Sequence, residues 1–276
     1  MISLSMAEID NYELFDSITG KKRITSREKL DPYKSKIRGR YALYYKNNLD
    51  SILPTGEWDE VKTLLISCYG NNVGLDRAKE EIRNALIKEM KNKCPFCMIN
   101  RSNTFDHYFD KDDYPEFSIF TPNLIPCCSE CNSKKGTRIF DANGERLFIH
   151  FYYDVIPIKQ FLFIRLHLDN DNTPISTISL QFCNDNYSSK LIRRHYLSLE
   201  LIDKYKSCVT EKISTLIEEI VLSRDKLNQS VEQIKDMIYI KWQSKIKIYG
   251  ENYWESSLLE GVLNSENFIE SIYVRY

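Results

Sequence analysis

The stretch from Phe105 to Gly136, FDHYFDKDDYPEFSIFTPNLIPCCSECNSKKG, brings an acid, an imidazole, an amide and a pair of thiols into one short segment. A plain core segment has no use for that mixture, because each buried polar group needs a partner. A metal site can use all four kinds of group. The stretch therefore indicates a metal site near the middle of the chain.

There are two C-x-x-C pairs: Cys94–Cys97 precedes the quoted stretch, and Cys128–Cys131 lies within it. Each pair can place two thiolates at adjacent corners of a tetrahedron around Zn²⁺. Cys127 competes with Cys128, but only Cys128 leaves a two-residue gap to Cys131, so Cys127 is interpreted as a packed thiol. The alternative, reduced core cysteines, fits poorly with the proline and polar residues inside the turns. Four thiolates would close the coordination shell, which predicts a structural zinc.

The remaining composition is that of an ordinary globular chain, with 42% hydrophobic residues, 28% charged residues and a net charge of −1. No basic and then apolar leader opens the sequence, and no apolar run approaches the length of a membrane span. We therefore expect a cytoplasmic protein with reduced cysteines. Cys68, Cys183 and Cys208 are scattered among apolar neighbours and are predicted to be small core residues.

Between Cys94 and Gly136 the order C-x-x-C, Asp-His, Asn-Leu, C-x-x-C-Asn-x-x-Lys-Gly resembles the zinc-stapled HNH endonucleases. The resemblance covers about a sixth of the chain and implies a ββα-metal finger. The YPEFS segment that starts at Tyr114 also resembles HNH proteins of bacterial antiviral defence operons. The resemblance implies a metal-dependent nuclease.

The resemblance also implies a role for each polar residue of the motif. His107 would be the general base, since an imidazole can accept a proton near neutral pH. Asp106 and Asn132 would supply oxygen ligands to a catalytic Mg²⁺ or Mn²⁺ ion, and both suit a hard cation. Asn123 would brace the loop that carries His107. Asp106 and His107 point to opposite faces of an extended strand, so the backbone must bend if both are to reach one site.

Two sets of basic residues are candidates for nucleic-acid contact. One follows the last cysteine, and the other lies in a stretch from Lys21 to Lys46 that holds ten Lys or Arg residues against two acids. The alternative for the second set is a solvated helix face that is balanced by acids elsewhere in the fold. The candidates are Lys134, Lys135 and Arg138, and then Lys36, Arg38 and Arg40.

The hydrophobic periodicity predicts helices over Asp31–Asn47, Trp58–Cys68 and Leu75–Met90, a hairpin built on FLFIRLHL from Phe161, and a long helix from Leu199 to Leu227. A capping box at Ser230 and Gln233 would begin another helix. The fold class is therefore α+β: a mainly helical protein with a central ββα-metal finger and a β-hairpin. The predicted regions are 1–90, 91–140 and 141–276.

Together these features predict a metal-dependent HNH endonuclease that hydrolyses DNA and serves antiviral defence, with RNA left open as a substrate. The alternative is a zinc-ribbon module that binds nucleic acid or protein without cutting. A further hypothesis is an effector that an ATPase or sensor subunit activates. The apolar stripe from Ile202 to Ile220 is either core or the seam of an oligomer.

Overall fold

The computed structural model describes residues 3–46, 49–169 and 173–275. It divides into two compact units, Ser3–Asp154 and the residues from Val155 onward. The described residues are mostly helical and carry two antiparallel two-stranded sheets, which confirms the α+β fold class. The division into regions 1–90, 91–140 and 141–276 stays a prediction. Within the described ranges, no helix has the length and apolarity needed to cross a membrane.

Among the described residues, five α-helices precede the finger. They are α1 (Asn11–Gly20), α2 (Ile24–Leu30), α3 (Lys34–Tyr45), α4 (Lys62–Ile66) and α5 (Val73–Met90). The predicted start at Asp31 is a short 3₁₀ turn that leads into α3, and its predicted end at Asn47 lies outside the described residues. The helix predicted from Trp58 to Cys68 is broken, because 3₁₀ turns flank the five-residue α4 on both sides. The helix predicted up to Met90 is confirmed as α5.

The finger consists of β1 (Thr104–His107), β2 (Leu124–Cys127) and α6 (Ser129–Lys135). The two strands are antiparallel, with Thr104 opposite Cys127 and His107 opposite Leu124. Cys128 is the N-cap of α6, and its sulfur accepts the Cys131 backbone N–H. Strand β2 therefore passes into α6 through a cysteine of the second C-x-x-C pair.

Aromatic rings fix the loop between β1 and β2 against α3. The Tyr41 and Phe120 ring centroids lie 4.1 Å apart, and Tyr44 lies 5.0 Å from Phe117 and 5.5 Å from Phe109. All five side chains are buried. Offset and edge-to-face pairs of this kind add about 0.5–1.5 kcal/mol each beyond the burial of their area. The loop that follows His107 is thus part of the core of this unit.

The second unit contains the hairpin of β3 (Leu162–Leu168) and β4 (Pro174–Leu180), as predicted; residues 170–172 of its turn lie outside the described residues. The helices of this unit are α7 (Tyr187–Ser198), α8 (Leu201–Leu227), α9 (Val231–Tyr249), α10 (Trp254–Leu263) and α11 (Phe268–Arg275). The capping box of Ser230 and Gln233 is confirmed at the start of α9.

Two further sequence expectations have different outcomes. Tyr205, Val209, Leu216 and Ile220 of the α8 stripe are buried within the unit, which identifies that part of the stripe as core. The scattered cysteines do not behave alike: Cys68 is buried, Cys208 is half-buried and Cys183 is exposed. The prediction of a core position is therefore wrong for Cys183, which lies between the hairpin and α7.

Candidate metal centre

Four buried cysteines converge at the base of the finger. The sulfur atoms of Cys94, Cys97, Cys128 and Cys131 all lie within 4.8 Å of one another. The Cys97 and Cys128 sulfurs are 3.9 Å apart, close to the roughly 3.8 Å that a tetrahedron with Zn–S bonds of about 2.3 Å requires. Cys127 is buried as well but lies outside the group. The four sulfurs could therefore hold a zinc ion in a closed shell.

Backbone and side-chain N–H groups surround these sulfurs. The Ile99 N–H points at the Cys97 sulfur at 3.5 Å, and the Cys131 N–H points at the Cys128 sulfur at 3.4 Å. The Asn100 amide lies 3.9 Å from the Cys128 sulfur and also donates to Glu130. Such donors favour thiolates, whereas burial raises the pKa of Cys94. The negative charge of four thiolates in this buried position needs a cation to balance it.

His107 ends β1, and its imidazole is held by the loop that follows. Its Nε2 lies 2.9 Å from the Ser118 carbonyl oxygen. A carbonyl oxygen can only accept, so Nε2 carries the hydrogen and Nδ1 keeps its lone pair. Burial lowers the pKa of His107 to about 4, which makes the ring neutral at pH 7. The Tyr69 ring packs edge-on against the imidazole, with centroids 4.4 Å apart. The neutral ring therefore keeps a lone pair at Nδ1, and the lowered pKa makes it a weaker base than an exposed imidazole.

Asp106 faces the other side of β1, where it meets a fully buried lysine. The Lys135 ammonium lies 3.1 Å from Asp106 Oδ1 and 3.1 Å from the His107 carbonyl oxygen. Burial raises the pKa of Asp106 to about 6, while Lys135 acts in the opposite direction. The second oxygen, Asp106 Oδ2, is buried with no hydrogen-bond donor among the described residues. Lys135 thus ties α6 to β1, and its phosphate contact stays a prediction.

Replacing Lys135 by methionine should destabilise the protein by about 3–5 kcal/mol, because it leaves the Asp106 carboxylate buried without its partner. Adding Asp106→Asn to that variant should restore much of the loss, since the uncompensated charge is then removed. Urea unfolding of the single and double variants measures both effects. Lys88→Met, at an exposed position on α5, is the control, with an expected change within about 0.5 kcal/mol. Equal stability of Lys135→Met and Lys88→Met would show that the pair contributes nothing.

Asn123 is fully buried and braces the loop after His107. Its side-chain oxygen accepts the Phe109 N–H at 2.8 Å and the Tyr44 hydroxyl at 3.1 Å, and its amide nitrogen donates to the Phe109 carbonyl at 2.9 Å. The Tyr44 hydroxyl also lies 2.9 Å from His150 Nε2. This geometry matches the bracing role that the sequence resemblance implies for Asn123. Tyr44 and His150 are partners that the sequence reasoning missed.

Asn132 lies on α6, half-buried beside the first residues of β1. Its amide nitrogen lies 3.4 Å from the Phe105 carbonyl oxygen and 3.5 Å from the Thr104 hydroxyl. Its own side-chain oxygen accepts no hydrogen bond within the described part of the chain. Thr104 and Asp106 share one face of β1, by the alternation of a strand. The structure therefore gathers Asp106, Asn132 and Lys135 between α6 and β1, with the His107 ring on the other side of the strand.

The other predicted nucleic-acid contacts are engaged within the protein. Ion pairs join Lys36 to Glu57 at 3.4 Å, Arg38 to Asp16 at 2.6 Å and Arg40 to the buried Glu116 at 2.8 Å. Arg138 donates to the Lys134 carbonyl oxygen. These pairs favour the alternative of a helix face that acids balance, most clearly at Arg40. Nucleic-acid contact by these residues stays a prediction.

Comparison with known proteins gives partial similarity. The chain is 23% identical to protein Ea31 of Escherichia phage lambda over 225 residues, which cover 76% of this chain and 75% of that protein. It is 36% identical to the Septu protein PtuB of Bacillus thuringiensis over 73 residues, which are 25% of this chain and 27% of PtuB. No family model and no solved structure matches the chain. The chain is therefore similar to a phage protein over most of its length and to a Septu protein over about a quarter of it.

Proposed function

We propose that this chain is a metal-dependent endonuclease that hydrolyses phosphodiester bonds in DNA. The observation that carries the proposal is the state of His107: a neutral imidazole with its tautomer set by the Ser118 carbonyl, at the end of a strand in a four-cysteine finger. Phosphodiester hydrolysis needs a base that removes a proton from water, and Nδ1 of His107 is free to accept it. The motif resemblance between Cys94 and Gly136 supports the same chemistry.

The residues around His107 have supporting roles in this proposal. Asn123 holds the backbone of Phe109, and so the loop that orients the imidazole. Asp106 Oδ2 and the side-chain oxygen of Asn132 are the two oxygen atoms on the α6 side of β1 that would hold a catalytic divalent ion. That ion would supply positive charge to the phosphate and the leaving oxygen. Because the His107 ring lies on the other side of β1, the phosphate would have to sit at the end of the strand, where His107 is the last residue. The unused Asp106 Oδ2, buried without a donor among the described residues, fits a cation.

The zinc ion would have a structural role, because four thiolates leave no position for substrate. It would join the turn that carries Cys94 and Cys97 to the N-terminus of α6. Since Asn132 follows Cys131 directly, the same ion would fix the helix that carries the second oxygen ligand. Supporting groups of this kind typically change metal affinity or activity by about 10–100-fold.

The partial similarity to a Septu protein supports a place in antiviral defence. In that setting a nuclease must stay silent until infection, so we propose that an ATPase or sensor partner activates it. The matched segment covers only about a quarter of each protein. The defence role and the partner are tested by cleavage that appears only when the neighbouring gene products are added.

The test of the nuclease proposal is plasmid cleavage by the purified protein with and without Mg²⁺ or Mn²⁺. Asn132→Ala should keep its zinc and lose cleavage, by about 100-fold or more, because even groups that only support a metal ligand change activity by about 10–100-fold. Asn143→Ala, at an exposed turn position, should cleave as the unchanged protein does. Equal cleavage by both variants would contradict the ligand role of Asn132.

One observation favours the second candidate, a zinc module that binds without cutting. Lys135 already places a positive charge on Asp106, so the carboxylate does not need a divalent ion to balance it. In that case the protein would bind DNA but would not cleave it, whichever divalent ion is added. Binding and cleavage measured on the same plasmid distinguish the two functions.

A further inference from the structure

Three cationic side chains surround the face of β1 that carries His107. The Lys79 ammonium lies 3.7 Å from the centroid of the Tyr69 ring, and the Lys111 ammonium lies 5.8 Å from the same ring. The Arg83 guanidinium lies 4.8 Å from the centroid of the Phe105 ring. Lys79 and Arg83 are four residues apart on α5 and so project from one side of that helix.

These cations lie next to the proposed catalytic imidazole. The Tyr69 ring contacts the His107 ring at 4.4 Å between centroids, so Lys79 and His107 flank the same aromatic side chain. Phe105 precedes His107 by two residues on β1, and residues two apart share a face of a strand. Arg83 therefore stacks over the same face of β1.

The charges of this cluster are not balanced by ion pairs. Across residues 3–46, 49–169 and 173–275, Lys79, Arg83 and Lys111 form no salt bridge, although Lys36, Arg38 and Arg40 each have a carboxylate partner. Asp76, one turn earlier on α5, is the acid that acts on Lys79, and it does so without an ion pair. Lys79 and Lys111 are half-buried and Arg83 is exposed. Cations held on aromatic rings in this way keep their N–H groups available to an anion.

We propose that Lys79, Arg83 and Lys111 form a binding site for the phosphate groups of a nucleic-acid backbone, on either side of the bond presented to His107. The inference rests on the proposed function, because it takes the substrate to be a nucleic acid. A phosphate diester carries one negative charge per nucleotide, which matches a cluster of cations that form no ion pair with the described residues. The site would hold the strand without reading its sequence, since backbone contacts carry no base information.

The test is binding of a labelled DNA duplex by zinc-loaded protein, measured by fluorescence anisotropy over a range of salt concentrations with no Mg²⁺ or Mn²⁺ added. The triple variant Lys79→Gln, Arg83→Gln, Lys111→Gln should bind about 100-fold more weakly at about 0.1 M salt. A plot of log affinity against log salt concentration has a negative slope, and its magnitude should decrease by about 2–3 in this variant, which is about 0.9 for each lost phosphate contact. The single variant Arg83→Gln, at an exposed position, should reduce the magnitude of that slope by about 1.

The matched control removes the same charges elsewhere on the same unit. Arg77, Lys88 and Lys91 are exposed on α5 or at its end, and changing all three to glutamine should leave affinity within about threefold of the unchanged protein at the same salt, since only general attraction is lost. Zinc content and thermal melting verify that every variant is folded. Equal affinity of the two triple variants, or no binding by the unchanged protein, would overturn the inference.

The outcomes for the site and for the nuclease are separable. Binding that depends on the three cations, with no cleavage in Mg²⁺ or Mn²⁺, would support the phosphate site and contradict the proposed nuclease. Cleavage by the unchanged protein, with a Lys79, Arg83 and Lys111 triple variant that binds and cuts equally well, would contradict the phosphate site and leave the nuclease standing.

Discussion

Replacing Cys97 by alanine is expected to release the zinc ion and to unfold the finger between Cys94 and Gly136. The four sulfurs lie within 4.8 Å of one another and are buried, so removing one opens the shell and leaves three thiols without their cation. Zinc binding in small structural sites is worth about 10–16 kcal/mol at neutral pH, which is also folding free energy. Loss of the ion should therefore abolish the cooperative unfolding transition of this unit.

Cys127→Ala is the matched control, because it removes the same atoms from a buried cysteine next to Cys128. The control should lose some packing stability but retain one zinc per chain. Zinc content by elemental analysis and thermal melting by circular dichroism check both variants. Retention of a full equivalent of zinc by Cys97→Ala, or its loss from Cys127→Ala, would contradict the assignment of the four ligands.

The four-cysteine group could be predicted from the sequence because the C-x-x-C spacing is a local pattern. A two-residue gap selects Cys128 over Cys127, and the sulfur positions agree with that choice. The helix at Leu75–Met90 and the hairpin could be predicted for the same reason, since each has a clear period of its own. The prediction of one helix from Trp58 was wrong although the local period was present. The Thr55 side chain caps a separate 3₁₀ turn at Gly56–Trp58, and α4 begins after Val61, which provides no side-chain cap.

The sequence could not predict contacts between side chains that lie far apart along the chain. Tyr44 meets Asn123 across 79 residues and His150 across 106 residues. Nothing in a local pattern pairs these side chains. Lys135 was predicted from its motif position to contact nucleic acid, and no sequence pattern indicated that its ammonium is buried beside Asp106 between α6 and β1.

A count of charges along the sequence also omits partners that are distant in the chain. The stretch from Lys21 to Lys46 is strongly basic as a sequence, yet Arg38 and Arg40 meet acids contributed by other segments of the fold. Lys79, Arg83 and Lys111, which form no ion pair with a described residue, lie outside that stretch. An i, i+4 pair of cations on α5 was the available signal, but the aromatic rings that hold them come from elsewhere in the chain.

Replacing His107 by alanine is expected to lower DNA cleavage by about 10²–10⁴-fold, the usual contribution of a general base. The Ser118 carbonyl accepts the Nε2 hydrogen, so in the proposed reaction Nδ1 would take the proton from water, and alanine offers no lone pair in its place. The zinc ligands are untouched, so the ion should remain bound. The variant should also keep its affinity for DNA, since the cations around Tyr69 are unchanged.

The most direct measurement is the rate of plasmid cleavage in Mg²⁺ or Mn²⁺ by zinc-loaded protein, compared with zinc-loaded His107→Ala and with His167→Ala, an exposed histidine of β3. We predict cleavage by the unchanged protein and by His167→Ala at equal rates, and a rate at least about 100-fold lower for His107→Ala. Cleavage by His107→Ala at the unchanged rate would contradict the role of the imidazole. DNA that all three proteins bind and leave intact would contradict the nuclease itself.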